Sequence, residues 1–196
     1  MNKTIHYIRD PKCNGSSSFN IKSGLVLKLF SLRAFNRRWP TKRPIFRKFL
    51  NRIEKTPPRG LDRIAAETDI QVWKEVECLS CANCCKTMSP TYNKTDLKRI
   101  SAHFGMKVEE FRKKWLYKDR HGDWLNKQQP CQFLNLTDNK CSIYAIRPSD
   151  CAGFPHHTKH RTKDYIHVFK QNIDYCPATF KLVEKMIERV ENTPIP

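Results

Sequence analysis

The sequence predicts a mostly α-helical fold with short β-hairpin elements, in a small cysteine-rich domain that follows a basic N-terminal arm. Apolar residues recur at helical spacing in most of the longer segments, which indicates helices rather than strands. Eight of the nine cysteines lie between positions 78 and 176, and the positive charge concentrates near the N-terminus. We therefore divide the chain into an arm, residues 1–60, and a domain, residues 61–196, joined at the proline-rich linker 56–60.

The positive charge is unevenly distributed along the chain. There are 37 Lys and Arg against 19 Asp and Glu, a net charge of +18. Residues 1–60 hold 15 basic and 2 acidic residues, a balance of +13, and residues 61–196 hold 22 and 17, a balance of +5. A dense basic arm attracts polyanions such as RNA, DNA, anionic lipid or an acidic protein. A solvated tail that only aids solubility is the alternative, and charge alone does not decide between the two.

No membrane-spanning or secretory segment is predicted. The longest apolar island, residues 25–30, contains a lysine and is far shorter than the roughly 20 apolar residues that a spanning helix needs. The N-terminus lacks the basic start, continuous apolar stretch and small-residue cleavage site of a signal peptide. We therefore expect a cytoplasmic location, in which cysteines stay reduced.

The arm is predicted to be partly helical. Residues 1–20 are rich in turn-forming residues and are expected to be irregular. Residues 21–38 have the pattern of a basic amphipathic helix, which Pro40 and Pro44 are expected to end. A second basic helical pattern follows over residues 45–55. Such helices suit a surface that contacts nucleic acid or membrane lipid.

The first half of the domain is predicted to be helical around one hairpin. Apolar spacing predicts a helix over residues 61–77, which leads directly to the first cysteines. A second helix is expected over residues 96–104, with Thr95 as its N-cap. A third helix is predicted over residues 108–117, and the turn at residues 121–123 is expected to join two short strands.

The second half of the domain is predicted to have more loops. Asp138 and Asn139 are expected to form a turn between two short extended segments. Residues 165–169 are rich in β-formers and are predicted to be extended. Pro177 is expected to occupy the first turn of a last helix, in which apolar residues recur at helical spacing over residues 178–190.

The cysteines carry the chemically informative pattern. A CxxCxxCC motif is formed by Cys78-Leu79-Ser80-Cys81-Ala82-Asn83-Cys84-Cys85. The two-residue spacing lets a loop turn its thiolates toward one centre, and Cys176-Pro177 is similar to the remote fourth ligand of bacterial ferredoxins. Zinc accepts the same thiolates in tetrahedral geometry. Side chains of adjacent residues point in different directions. One of Cys84 and Cys85 is therefore expected to bind a second metal centre, to bridge two centres or to remain a free thiol. Cys13 stands apart and is expected to be an ordinary thiol.

More cysteines follow in short segments: Pro130-Cys131-Gln132-Phe133-Leu134, then Cys141-Ser142-Ile143-Tyr144-Ala145-Ile146-Arg147-Pro148-Ser149-Asp150-Cys151, then Phe154-Pro155-His156. With the CxxCxxCC motif, the PCxFL, CSIYxxRPxxC and FPH segments resemble the YkgJ-type cysteine-cluster family. That family is also described as the zinc- or iron-chelating CxxCxxCC domain. The resemblance covers residues 70–190 and leaves the basic arm outside it.

The resemblance implies a metal-binding or iron–sulfur protein. It carries over eight cysteines as metal-ligand candidates: Cys78, Cys81, Cys84, Cys85, Cys131, Cys141, Cys151 and Cys176. One tetrahedral ion cannot bind eight thiolates, so either two centres exist or some cysteines lie outside the ligand shell. We favour an iron–sulfur cluster over zinc, with a redox role on a substrate that the sequence does not identify. Bound metal would stabilise the fold directly, which makes the domain a small, metal-stabilised one.

Three side chains beside the cysteines each have two interpretations. His156 or His157 would complete a mixed metal site, or would be structural. Arg147 would stabilise a negatively charged cluster, or would form a structural salt bridge with Asp150.

Two further functions are open. One is a zinc-stapled, non-enzymatic module whose basic arm, residues 1–60, binds RNA, the ribosome or an acidic protein. The other is a modifying enzyme, because a related cysteine-rich region occurs in flagellin lysine N-methylases. The chain has no GxGxxG-like loop for a nucleotide-containing methyl donor. The sequence therefore does not decide whether the protein is an enzyme.

Overall fold

The computed structural model describes residues 29–191, and the predictions for residues 1–28, Cys13 among them, lie outside the described residues. The described part is mostly helical with a single two-stranded hairpin, which confirms the predicted fold class. No helix within residues 29–191 is long and apolar enough to cross a membrane. The elements are α1 Leu32–Lys55, α2 Leu61–Glu75, α3 Cys78–Cys81, α4 Asn83–Thr87, α5 Lys94–His103, α6 Val108–Trp115, β1 Leu116–Lys118, β2 Trp124–Asn126, α7 Ser149–Gly153, α8 Ile166–Asn172 and α9 Pro177–Glu191, with single 3₁₀ turns at Tyr144–Ile146 and Thr162–Tyr165.

Helix α1 runs unbroken through both prolines, so the prediction that Pro40 and Pro44 end a helix is wrong. An interior proline lacks the N–H that would bond one turn back, and it costs about 3 kcal/mol. The inner face of α1 offsets this cost because five of its side chains are buried, with Phe46 and Leu50 almost wholly so. Tertiary packing therefore stabilises the helical conformation at both prolines, although their local propensity opposes it.

The first hydrophobic core joins α1, α2, α8 and α9. Phe180 of α9 lies at its centre, with its ring centroid 4.8 Å from that of Phe46 and 5.5 Å from that of Phe35. Ion pairs tie helix α1 to the C-terminal helices and their connection, most of them from arginines of α1 to carboxylates. They join Arg38 to Glu184, Arg43 and Arg47 to Asp174, and Lys170 to Glu54.

The second hydrophobic core joins α5, α6 and the hairpin. Phe111 and Ile100 are fully buried in it, together with Leu97. The strands pair in antiparallel register, with Leu116 opposite Asn126, which confirms the predicted hairpin. Helix α6 ends two residues earlier than expected, because Leu116 and Tyr117 begin strand β1 instead.

The N-cap of α5 is Asn93, so the prediction of Thr95 is wrong. The Asn93 side chain accepts a hydrogen bond from the Asp96 backbone N–H at 2.8 Å, and the Asp96 carboxylate accepts one from the Asn93 N–H at 3.4 Å. This reciprocal pair satisfies two backbone donors that a helix start leaves open, which a threonine two positions later cannot do.

Residues 165–169 are helical rather than extended, which overturns the β assignment of this segment. Ile166 and Phe169 are fully buried in the first core on one face of α8. The β-propensity of such residues is overridden when helical spacing buries them better. The last helix starts at Pro177, as predicted.

Candidate metal centre

The CxxCxxCC motif folds as two very short helices joined by one left-handed residue. Helix α3 carries Cys78 and Cys81, and helix α4 carries Cys84 and Cys85. Between them Ala82 adopts φ 46°, ψ 19°, a conformation that costs a non-glycine residue roughly 1–2 kcal/mol. The break turns α4 away from the direction of α3.

Backbone hydrogen bonds bring the remote cysteine segments to this motif. The Cys131 N–H donates to the Cys85 carbonyl at 2.8 Å, and an isolated β-bridge pairs Leu134 with Cys141. The Asn83 side chain adds a further bond, because its Nδ2 donates to the carbonyl of Tyr175, the residue before Cys176, at 2.6 Å. The bridge also confirms the turn predicted at residues 138–139. All eight candidate cysteines of residues 78–176 are free thiols.

Four of the thiols form what we call set A: Cys78, Cys81, Cys84 and Cys176. They line a common cavity of about 20 Å³. Negative charge on Cys78 or Cys176 would raise the pKa of Cys84, and charge on Cys81 would raise the pKa of Cys176, so the four sulfurs are close to one another. Set A therefore combines the CxxCxxC cysteines with the remote Cys-Pro cysteine. Cys176 is itself part of the first hydrophobic core.

The other four thiols form what we call set B: Cys85, Cys131, Cys141 and Cys151. They line a larger cavity of about 140 Å³, which Cys78 and Cys84 of set A also reach. Cys151 feels the charges of the other three members. Cys131 and Cys141 pack on the second hydrophobic core. The two sets therefore rest on different cores.

The two sets meet at the Cys84–Cys85 pair, whose sulfurs are 3.9 Å apart. Within residues 29–191, no group of three or more His, Cys, Asp or Glu side chains is already close enough together to hold a metal ion. The thiols instead surround cavities whose walls come from both cores, with Trp73 and Phe154 on one side and Tyr92 and Phe133 on the other.

Burial raises the pKa of most of these thiols. It raises the pKa of Cys141 to about 11, and it places the pKa of Cys151 far above its ordinary value, where nearby thiols raise it further. Cys85 is the exception, since the contact with Cys84 lowers its pKa and raises that of its partner. Metals bind the thiolate, so loading the sites must release protons.

Cys176 lies at the N-terminus of α9, where three donors face its sulfur. They are the backbone N–H groups of Ala178 and Thr179 and the Thr179 hydroxyl. Burial nevertheless raises the pKa of Cys176 to about 11, because its sulfur is fully enclosed. A helix start also favours negative charge. The site thus suits a thiolate once a cation replaces the proton.

In set B a buried carboxamide faces a sulfur. The Asn126 amide Nδ2 donates to Cys131 Sγ at 3.3 Å. Its Oδ1 accepts from the Tyr92 hydroxyl at 2.7 Å and from the Gln132 amide at 3.0 Å. These two donors fix the orientation of the amide, so the N–H group must face the sulfur.

The three polar residues that sequence analysis considered beside the cysteines all contact other groups of the protein, and the buried Nδ1 of His156 has no hydrogen-bond partner within residues 29–191. Both ring nitrogens of His157 are used, Nδ1 by Asp69 at 2.7 Å and Nε2 by Thr179 at 2.9 Å. His156 Nε2 lies 3.1 Å from Asp150. The guanidinium of Arg147 donates to the Tyr144 carbonyl at 2.8 Å, and the charge lies 3.9 Å from the centre of that ring.

Sequence analysis did not identify Asn126 or Thr179 as part of the site. Thr179 had a recognisable signal, because a residue three positions after the N-cap commonly faces the cap side chain. Asn126 had none, since only the fold brings its amide to the Cys131 sulfur.

Comparisons with known proteins identify the family to which the cysteine-rich segment belongs. Residues 77–177 match the CxxCxxCC family model, described as "Putative zinc- or iron-chelating domain". The curated proteins that match include the uncharacterized protein MJ0661 of Methanocaldococcus jannaschii, 30% identical over 81 residues. That match covers 40% of this chain and 43% of the archaeal protein, so the chain spans less than half of this relative's length. No solved structure matches the chain.

The family match spans more than half of the chain and includes all eight cysteines of sets A and B. Its description assigns the domain to the chelation of zinc or iron. The chain belongs to the CxxCxxCC family, the YkgJ-type cysteine-cluster proteins.

Proposed function

We propose that the protein binds two metal centres, one through the four cysteines of set A and one through those of set B, and that both are iron–sulfur clusters used in electron transfer. The division of eight free thiols into two groups of four carries this proposal. Four cysteine thiolates are the usual ligand set of a two- or four-iron cluster.

The composition of set A supports iron–sulfur binding. Its members have the CxxCxxC spacing followed by a remote cysteine and proline, as in bacterial ferredoxins. N–H groups that donate to ligand sulfur are one of the levers that set cluster potentials. The donors from Ala178 and Thr179 to Cys176 supply that environment.

The cavity supports a cluster rather than a single ion in set B. A zinc ion bonded to four sulfurs at about 2.3 Å draws them to within about 3.8 Å of one another and leaves no void. The thiols of set B, together with Cys78, Cys84 and mostly apolar neighbours, instead line a cavity of about 140 Å³. Irons and sulfides would fill that volume, and the fixed Asn126 amide would donate to the bound Cys131 thiolate.

The contact between the sets supports electron transfer. When bound, an iron–sulfur cluster accepts and donates single electrons. Cys84 and Cys85 are consecutive residues with sulfurs 3.9 Å apart, so the ligands of the two centres are in contact. An electron would therefore cross from one centre to the other over a very short path.

Anaerobic purification and reconstitution of the full chain tests this proposal. We expect a brown protein with absorbance near ~400 nm and up to about eight iron and eight sulfide per chain, as for two four-iron clusters. Electron paramagnetic resonance of the reduced protein should show two interacting centres, because the ligand sulfurs touch. A colourless chain with about two zinc ions would overturn the iron–sulfur and electron-transfer parts and leave two thiolate centres.

A second candidate function is binding of RNA phosphates by the outer face of α1. Four cations on this helix are exposed and have no carboxylate partner within residues 29–191: Arg33, Arg37, Lys48 and Lys55. They span about 33 Å of helix length. Ile45 is the exposed large apolar side chain of the helix, which is too little apolar surface to insert into a membrane. The face therefore suits a row of phosphates.

Charge reversal tests this second candidate without removing the helix. We expect the triple variant Arg33→Glu, Arg37→Glu, Lys48→Glu to bind an RNA duplex at least about tenfold more weakly at low salt, with a flatter salt dependence. A matched control reverses three exposed lysines of α5 and α6, Lys94, Lys98 and Lys113. RNA affinity is measured by fluorescence anisotropy. An equal loss of affinity in both variants would show that only the net charge matters, and it would contradict a site on α1.

A further inference from the structure

A third cavity lies at the surface beside both sets of thiols. It encloses about 400 Å³, and we call it the glutamine cavity because Gln128, Gln129 and Gln171 line it. Its volume falls within the range of roughly 300–1,000 Å³ that is usual for small-molecule sites. None of the eight cysteines of sets A and B is among its lining residues, so the proposed metal centres leave it available to another ligand.

The glutamine cavity shares walls with the cavities of both sets. Met88 and Ser89 line it and also line the cavity of set B. Tyr175 lines it and also lines the cavity of set A. Asn126 is a further lining residue, and its side-chain amide donates to Cys131 Sγ at 3.3 Å. A molecule bound in the glutamine cavity would therefore be separated from each set of thiols by a single layer of residues.

The lining residues favour a flat, polar ligand. The three glutamine side chains are exposed and make no hydrogen bond to another group of residues 29–191, so their amides are available to a ligand. A carboxamide offers a donor beside an acceptor, which pairs with a ring edge that carries both carbonyl and N–H groups. Tyr117 and Tyr175 are 47% and 38% exposed, and the face of a tyrosine stacks on planar rings.

The charge of the lining favours a phosphate group on that ligand. Lys127 lines the cavity, and no Asp or Glu within residues 29–191 does. The Lys127 ammonium group donates to the Lys113 carbonyl, which uses one of its three donors. The other two donors are available to an anion.

We propose that the glutamine cavity binds flavin mononucleotide (FMN), and that the reduced flavin supplies electrons to the two metal centres. The electron step rests on the proposed iron–sulfur centres. A flavin is planar, has an amide-like ring edge and transfers electrons singly or in pairs. Reduced flavin loses two electrons and two protons when it becomes oxidised flavin. Each centre accepts one electron, and the protons pass to water at the mouth of the cavity.

Titration of FMN into the metal-loaded full chain tests the site, with calorimetry and quenching of flavin fluorescence as readouts. We expect a dissociation constant of about 10 μM or lower. Gln171→Ala removes an amide and Tyr117→Ala removes a ring, and each should weaken binding about tenfold. Gln71→Ala is the matched control for the first variant, because Gln71 is also an exposed helical glutamine but lies outside the cavity. Tyr117→Phe keeps the ring and should keep the affinity.

Two further ligands identify what the cavity recognises. Riboflavin lacks the phosphate, so it should bind about tenfold more weakly than FMN, and Lys127→Met should remove that difference. Uridine monophosphate has a phosphate and an amide-like ring edge, but it carries no electrons. If it binds as tightly as FMN, the cavity is a nucleotide site and the flavin inference is wrong.

The electron step has its own readout. One equivalent of reduced FMN, mixed anaerobically with the oxidised iron–sulfur chain, should become oxidised and should bleach the absorbance near ~400 nm of both centres. Gln171→Ala should slow the bleaching about tenfold at subsaturating FMN, and Gln71→Ala should not. Binding of FMN without bleaching would overturn the electron step.

The outcomes separate this inference from the proposed function. An iron–sulfur chain that does not bind FMN, or that loses it equally in Gln71→Ala and Gln171→Ala, would overturn the inference and leave the metal centres intact. A zinc-loaded chain that binds FMN in the wild type but not in Gln171→Ala would overturn electron transfer and leave the flavin site standing.

Discussion

Replacing Cys81 with serine is expected to remove the metal centre of set A and to keep that of set B, and Cys141→Ser is expected to do the reverse. Cys81 lines the smaller cavity and Cys141 the larger one, so each substitution removes a thiol from a different set. Metal analysis of each variant should give about half of the wild-type content, and the double variant should give none.

Stability should fall together with metal content in both variants. Metal binding energy is also folding energy when the ligands come from distant segments. Loss of one centre should therefore lower the melting temperature by at least about 10 °C, since 1 kcal/mol corresponds to about 2–4 °C in a chain of this size. Full metal loading with unchanged melting would contradict a ligand role, and loss of all metal from either single variant would contradict two separate centres.

Cys13→Ser is the control for these variants. This cysteine is not part of the CxxCxxCC pattern and lies outside the matched family region, residues 77–177. We expect its replacement to leave both the metal content and the melting temperature unchanged.

Phe46→Ala is expected to destabilise the protein by about 3–5 kcal/mol, the usual cost of truncating a buried phenylalanine. Its side chain is 2% exposed, and its ring packs against Phe180 of α9 at 4.8 Å. Denaturant titration should show a lower midpoint with an unchanged slope. Ile45→Ala is the matched control, because Ile45 is 53% exposed and should change stability by less than about 0.5 kcal/mol.

The same packing decides how the basic region should be tested for RNA binding. Deleting residues 1–60 would remove α1 and with it the buried Leu50 and Ile53 of the first core. Loss of binding in such a truncation would report a damaged fold. Charge reversal on the outer face of α1 keeps the core and tests the charge alone.

The sequence predicted the elements where local signals agree with packing. The helix beginning at Pro177 and the hairpin at residues 121–123 follow from proline, glycine and apolar spacing. The interior prolines of α1 and the β-rich residues 165–169 were misjudged, because burial of side chains on one helix face outweighs local preference there. That burial depends on partners more than 100 residues away in the chain.

The candidate site was also predictable only in part, because local motifs identify the cysteines and the tertiary fold groups them. The motif and the family resemblance supplied the eight cysteines, but not their division into sets A and B. That division depends on the tertiary fold, in which Cys84 of α4 lines both cavities and Cys85 lines the larger one. Hydrogen-bond donors from Asn126 and Thr179 also come from distant elements, so no local pattern identified them all.

The separation into two hydrophobic cores has a consequence for how the molecule holds together. Within residues 29–191 the two hydrophobic cores are separate clusters, and the segments that carry the thiols lie between them. Metal ions or clusters bound there would link the two cores to each other. A chain stripped of metal should then melt in two steps, and a loaded chain in one.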